Sequence, residues 1–299
     1  MRSIALLPLL LFFAADASAQ IAGNQVYGNS SSQNSWKSIL QSGSPNVQLS
    51  DSTLLLTATV VSYHRADRYV AVLGLREEGP TVADCNRNIQ ERLDRLQSAL
   101  QKSGIDRNDL FVDIVGQVRM YDWREVNGKP WDMEEYATGF QISRNLIVRY
   151  RDKEDIEKIL ALAAEYQVYD LIKVDYVVED EEAVYDELFE AALEVIGKKK
   201  QRYLAATGMK LLPVSRIYGE RMLQVQPKDL YLKYQAASGS KVDSDYYNRK
   251  TRLFAPKFET FYYDGMELPD MDRVLHGDLL EPSPAFVLKL QILYEIDRG

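Results

Sequence analysis

Cysteine and histidine are nearly missing from this 299-residue chain, which has one of the first and two of the second. A single cysteine, Cys85, forms no disulfide within the chain and offers no thiolate cluster for a metal. His64 and His276 stand far apart, without H-E-x-x-H spacing, so a metalloprotease motif is excluded and a catalytic triad has little to build from. Glycine-rich phosphate loops are absent too, since neither G-x-G-x-x-G nor G-x-x-x-x-G-K occurs. These gaps lead us to expect no cofactor, no metal centre and no catalytic constellation.

Positive charge is also in short supply. Lys and Arg number 36 against 44 Asp and Glu, a formal net charge of -8. Such a chain repels nucleic acid and anionic membrane unless a basic patch is strongly local. With 46% hydrophobic and 27% charged residues the make-up is that of a globular protein, enough for one large domain or two small ones. Long apolar runs are missing beyond the N-terminus, and a membrane helix needs about 20 such residues.

The start of the chain, "MRSIALLPLLLFFAADASAQ", has one arginine, an apolar core from Ile4 to Ala15, and Ala17-Ser18-Ala19 before Gln20. Charge, short apolar core and small residues at the cut are the parts of a secretory signal peptide. We therefore expect 1–19 to be removed and the mature chain to be periplasmic or secreted, with no transmembrane segment. No cysteine follows the cut, so lipid attachment of the lipoprotein kind is not expected. Residues 20–50, rich in Asn, Ser, Gln and Gly, read as a polar arm, and 51–299 as a single folded domain.

Within that domain, periods of two and of three to four residues alternate. Thr53–Ser62 and Tyr69–Leu75 are β-branched and aliphatic, and the polar "YHRAD" between them reads as a short turn joining two strands. After Pro80, Thr81 and Asp84 stand at capping-box spacing before Val82, Cys85, Ile89, Leu93, Leu96 and Leu100, so an amphipathic helix ending at Gly104 is expected. Strands follow over Leu110–Tyr121 and Tyr136–Tyr150, a helix over Asp152–Tyr166 capped by Asp152, and a strand over Leu171–Val178. The long helix from Asp180 to Thr207 closes on Gly208. The expected fold is α+β, an antiparallel sheet with helices packed on one face, in the order ββαββαβαβ plus a C-terminal strand.

That long helix carries Glu179 to Glu182 at its start and Lys198, Lys199, Lys200 and Arg202 toward its end. Both runs suit a helix dipole, and the lysines read as a solvated helix end. An anion or partner contact is the alternative reading of the same four residues.

The same region resembles the SIMPL, or DUF541, family of exported bacterial proteins, whose last long helix ends in a Lys-Ala-rich segment, a Gly and a strand opening with Lys-Leu-Gly. Lys199 to Ala206, Gly208 and Lys210-Leu211 are the counterparts. Asp67 with Gly74-Leu75, the stretch "LQKSGIDRNDL", and Gly139-Phe140 are similar to further family turns, so the likeness spans Thr53–Ile217 and Ala285–Asp297. Ala66, Leu212 and Thr57 to Thr59 depart from residues usual in the family. The resemblance implies a non-enzymatic, homo-oligomeric envelope protein linked with stress tolerance, acting through protein or envelope partners.

Residues 226–284 fall outside that likeness and are rich in aromatics. Tyr246, Tyr247, Phe258, Phe261, Tyr262 and Tyr263 are candidate interface residues, with packing of the rings on the sheet as the alternative. Outward Val287, Leu293, Ile147 and Val177 are expected to join them in a subunit contact. The run "PDMDRVLHGD" offers Asp270, Asp272, His276 and Asp278, the basis of an alternative in which the protein is a secreted hydrolase or metal-dependent enzyme. Cys85, on an apolar helical stripe, is expected to be buried and inert.

Overall fold

The computed structural model describes residues 47–126, 128, 132–235, 259–266 and 271–298. Residues 1–19, where a signal peptide is expected, most of the expected arm, Tyr246, Tyr247, Phe258 and Asp270 lie outside them.

The chain is α+β, and its strands form two principal antiparallel sheets where the sequence suggested one. In chain order the elements are β1 (Val47–Leu49), β2 (Thr53–Tyr63), β3 (Arg68–Gly79), α1 (Val82–Lys102), β4 (Leu110–Glu125), β5 (Met133–Tyr150), α2 (Asp155–Glu165) and β6 (Asp170–Val177). There follow α3 (Glu181–Thr207), β7 (Lys210–Val225), β8 (Tyr231–Gln235), β9 (Glu259–Tyr263), β10 (Arg273–Leu275) and β11 (Ala285–Asp297). One sheet has the order β1-β2-β11-β7, with β10 adding in parallel to β2; the other is β4-β5-β3-β6. β8 and β9 make a separate two-stranded pair.

β2 and β3 therefore do not pair, although only four residues lie between them. β2 is buried along nearly its whole length, as a strand with neighbours on both sides must be, and it finds its partner in β11 with Leu56 opposite Ile292. β3 lies between β5 and β6. Val47–Leu49, which composition assigned to the arm, pairs with Leu54–Leu56.

Each sheet buries one face against its own helices. Leu73, Leu75, Leu146 and Val148 meet Ile89, Leu93, Leu96 and Leu100 of α1 and Ile159 of α2. Leu54, Leu56, Val60, Leu288 and Leu290 meet Val184, Leu188, Ala192 and Ile196 of α3. Each of these Leu, Ile and Val side chains contributes roughly 1.5–3 kcal/mol on full burial. Between the two layers run polar ties: Gln226 Nε2 donates to the Tyr176 carbonyl at 3.1 Å, and Lys228 pairs with Asp175 at 2.6 Å.

α1 begins as expected, with Thr81 Oγ1 accepting from the Asp84 amide at 3.1 Å. α2 starts three residues later than expected. Asp152 does not cap it; its carbonyl accepts from the Asp155 amide at 2.9 Å, a turn that precedes the helix. α3 closes on Gly208 at φ 67, a left-handed position that glycine takes without strain. Gly139 is required for another reason, since a Cβ there would lie 2.6 Å from the Gly79 carbonyl oxygen.

Cys85 is fully buried, its Sγ 3.3 Å from the Phe140 carbonyl, and burial pushes the thiol's pKa up. Replacing it with Ala should lower stability by about 1–2 kcal/mol through the small cavity left behind. Urea denaturation of the two proteins measures this, and thiol reagents should label Cys85 only as the chain unfolds.

Candidate functional site

The two sheets end in unusual edges. β4 bonds only β5, and β7 only β11, so among the described residues each leaves one side unpaired. Both edges are 16 residues long. An edge of that length is a template for another strand unless charge, proline or a covering element blunts it. Pro213 does so at one end of β7, where it falls in the register shift between Tyr294 and Ile296. Beyond it the edge is open.

Apolar side chains line these edges. On β4, Phe111, Ile114, Val115, Val118, Tyr121 and Trp123 are each more than half exposed, Ile114 at 73%. On β7, Val214, Ile217 and Tyr218 are exposed to the same degree. Furthermore, β3 pairs with β5 only from Phe140 onward, whereas β4 follows β5 back to Met133. The far halves of β4 and β5 thus project as a two-stranded ribbon, an arrangement that is marginal in water on its own.

The aromatic segment divides. Tyr262 is exposed and Phe261 half-buried, whereas Tyr263 packs against a cluster of Val61, Val225, Leu230, Met266, Ala285 and Val287. Burial also drives the Tyr263 pKa up. Val287 is consequently 1% exposed, not an outward contact, because Leu230 and Met266 of the excursion cover that face of the sheet. Leu293, Ile147 and Val177 are half-buried. The open apolar surface lies on the strand edges, not on these sheet faces.

The basic run divides as well. Lys198 and Arg202 are exposed. Lys199 turns inward: its Nζ lies 2.6 Å from Asp272 Oδ1 and donates to the Thr57 carbonyl at 2.7 Å, with the two side chains 16% and 17% exposed. Lys200 stands over the Tyr294 ring at 5.1 Å. The last turn of α3 holds no basic residue, so the dipole does not account for the run, its effect fading within one turn.

Asp272 is accordingly occupied. Its Oδ2 accepts from the Thr59 amide at 2.9 Å, and its own amide donates to the Thr59 carbonyl at 2.8 Å, which attaches β10 to β2. Of the described acidic residues in "PDMDRVLHGD", neither Asp272 nor Asp278 joins His276 in a cluster of potential metal ligands.

His276 meets Glu187 of α3 and His64 from the end of β2 instead. Its Nε2 donates to Glu187 Oε1 at 2.7 Å, and His64 Nε2 stands 3.3 Å from Glu187 Oε2. Ser62 Oγ donates to Glu187 Oε2 at 3.2 Å and lies 2.8 Å from His64 Nε2. Burial holds the His64 pKa below the usual imidazole range, against the opposing pull of the Glu187 carboxylate. Ser62 is fully buried, so it supports the cluster and is not placed to attack a substrate. No local spacing announces this group; the scarcity of histidine was its one signal in the sequence.

Among the described residues no helix is long and apolar enough to cross a membrane. A family model described as SIMPL, protein of unknown function (DUF541), matches residues 54–248. The match runs past Ile217 into the aromatic segment, farther than the sequence motifs suggested, and stops short of β11. No curated protein matches the chain.

Proposed function

This chain belongs to the SIMPL (DUF541) family, and from that premise we propose a non-enzymatic, exported protein, periplasmic or secreted, that works as a homo-oligomer. The β4 edge of one copy pairs with the β7 edge of the next, and the assembly meets an envelope component or protein partner in stress tolerance. The observation that carries this reading is the pair of open, apolar 16-residue edges. Their equal lengths suit strand addition, in which main-chain hydrogen bonds supply affinity and the flanking side chains supply specificity. Two different edges on one molecule make a head-to-tail contact, which closes into a ring when the rotation allows.

Export rests on the N-terminal sequence, where Ala17 and Ala19 suit a signal peptidase. An enzymatic role for the acidic cluster draws no support from Asp272, whose carboxylate is held by Lys199 and the Thr59 amide. Light scattering on the chain from Gln20 onward tests the assembly and should return a multiple of the single-chain mass. A single-chain mass at micromolar concentration would remove the proposal.

A further inference from the structure

We infer that His64, Glu187 and His276 form a binding site for a nitrogen-preferring divalent transition ion of the Zn2+ kind. The three residues come from the end of β2, the second turn of α3 and the residue after β10, and their donor atoms lie within 4.8 Å of one another. Both histidines of the chain are here.

The spacing suits a common ion. Zn–N and Zn–O bonds of about 2.0–2.2 Å in a tetrahedron place neighbouring donor atoms roughly 3.3 Å apart. Glu187 stands 3.3 Å from His64 Nε2 and 2.7 Å from His276 Nε2, so small side-chain rotations bring all three atoms onto one centre. The imidazole rings meet edge to face, 5.5 Å between centroids and 70° between planes, and so converge without stacking. In the neutral tautomer with its proton on Nδ1, each ring supplies one Nε2 lone pair as a nitrogen donor.

Two further features fit a ligand site. His276 has φ 54, and among the described residues it and Gln167 are the non-glycine residues with positive φ. Backbone held in such a sparsely populated region collects at binding positions. Ser62, donating to the Glu187 carboxylate from a fully buried position, orients that ligand from behind. Glu187 and His276 are partly open to solvent, so a fourth coordination position faces outward and takes water or an incoming donor. Two imidazoles and one carboxylate favour Zn2+ or Cu2+ over Ca2+ and Mg2+, which require mostly oxygen ligands. The ion would fasten the last part of the aromatic excursion, just after β10, to α3, and this holds whether or not the strand edges pair.

Calorimetric titration of the untagged mature protein with ZnCl2 is the test. One ion per chain should bind, with Ca2+ and Mg2+ giving no competition. His276→Ala and Glu187→Gln should each weaken binding by about tenfold or more, since even changes behind a metal's ligands cost that much. Zn2+ should raise the melting temperature of the wild type and leave that of His276→Ala unmoved. His276 is on the surface, and unchanged far-UV circular dichroism would show that its variant folds. No saturable Zn2+ binding, or binding equally tight in His276→Ala, would overturn the inference and leave a hydrogen-bonded clamp.

Discussion

Lysine in place of Ile114 on β4, or of Ile217 on β7, should reduce the native mass of the protein to that of one chain. Ile114 is 73% and Ile217 58% exposed in the single chain, so either change should alter the stability of a monomer by no more than about 0.5 kcal/mol. At a paired edge the same lysine places a charge among apolar side chains without a partner, a loss of several kcal/mol and therefore at least about a hundredfold in association. Inward or edge-borne lysines are also how natural sheets prevent edge pairing. Head-to-tail pairing adds a sharper expectation. When the two variants are mixed, the intact β4 of one meets the intact β7 of the other, giving dimers that grow no further. Light scattering on each variant and on the mixture would measure this, and unchanged assembly in both variants would exclude these edges as the contact.

The second large effect concerns Lys199 and Asp272. Lys199→Met leaves a carboxylate beside the Thr59 amide in a site where both side chains are less than one-fifth exposed. Breaking a buried pair from one side costs about 3–5 kcal/mol; residual solvent access at Asp272 lowers the expectation to about 2–3 kcal/mol. Lys198→Met, one position away on the exposed side of α3, should cost less than about 0.5 kcal/mol. Urea unfolding of the two variants separates these outcomes. Asp272→Asn in the Lys199→Met background should recover part of the loss, because the amide oxygen still accepts from Thr59 without a charge. Equal stabilities for the two lysine variants would show that the inward pair contributes nothing.

What was legible beforehand follows from how local each feature is. α1 could be read almost to the residue, because its cap at Thr81 and its stripe from Cys85 to Leu100 are fixed by spacings of three and four. The end of α3 was legible from Gly208 for the same reason. The start of α2 was misplaced because an aspartate at a helix-like position also makes an ordinary turn, and here Asp152 does so. Sheet membership could not be read. The partner of β2 is β11, more than two hundred residues along, and nothing in a strand's alternation names its neighbour. Hence two sheets appear where one was expected, and Val287, outward by alternation, is covered by a segment whose path the sequence did not reveal.

The site residues divide along the same line. The basic run was visible as a run, but the inward turn of Lys199 depends on α3 lying across β2 and on β10 delivering Asp272. His64, Glu187 and His276 are joined only by the fold. The open edges were equally hidden: β4 and β7 look like any other amphipathic strand until their positions at the sheet margins are known.

Backbone amide hydrogen exchange across β4 and β7 tests the central claim most directly, since strand addition is a claim about those amides. At concentrations where the protein is assembled, outward amides of β4 and of Ser215–Val225 in β7 should exchange slowly, and dilution or the Ile217→Lys change should release both sets together. Fast exchange along both edges in the assembled protein, with protection confined to β2, β3, β5 and β11, would contradict the account.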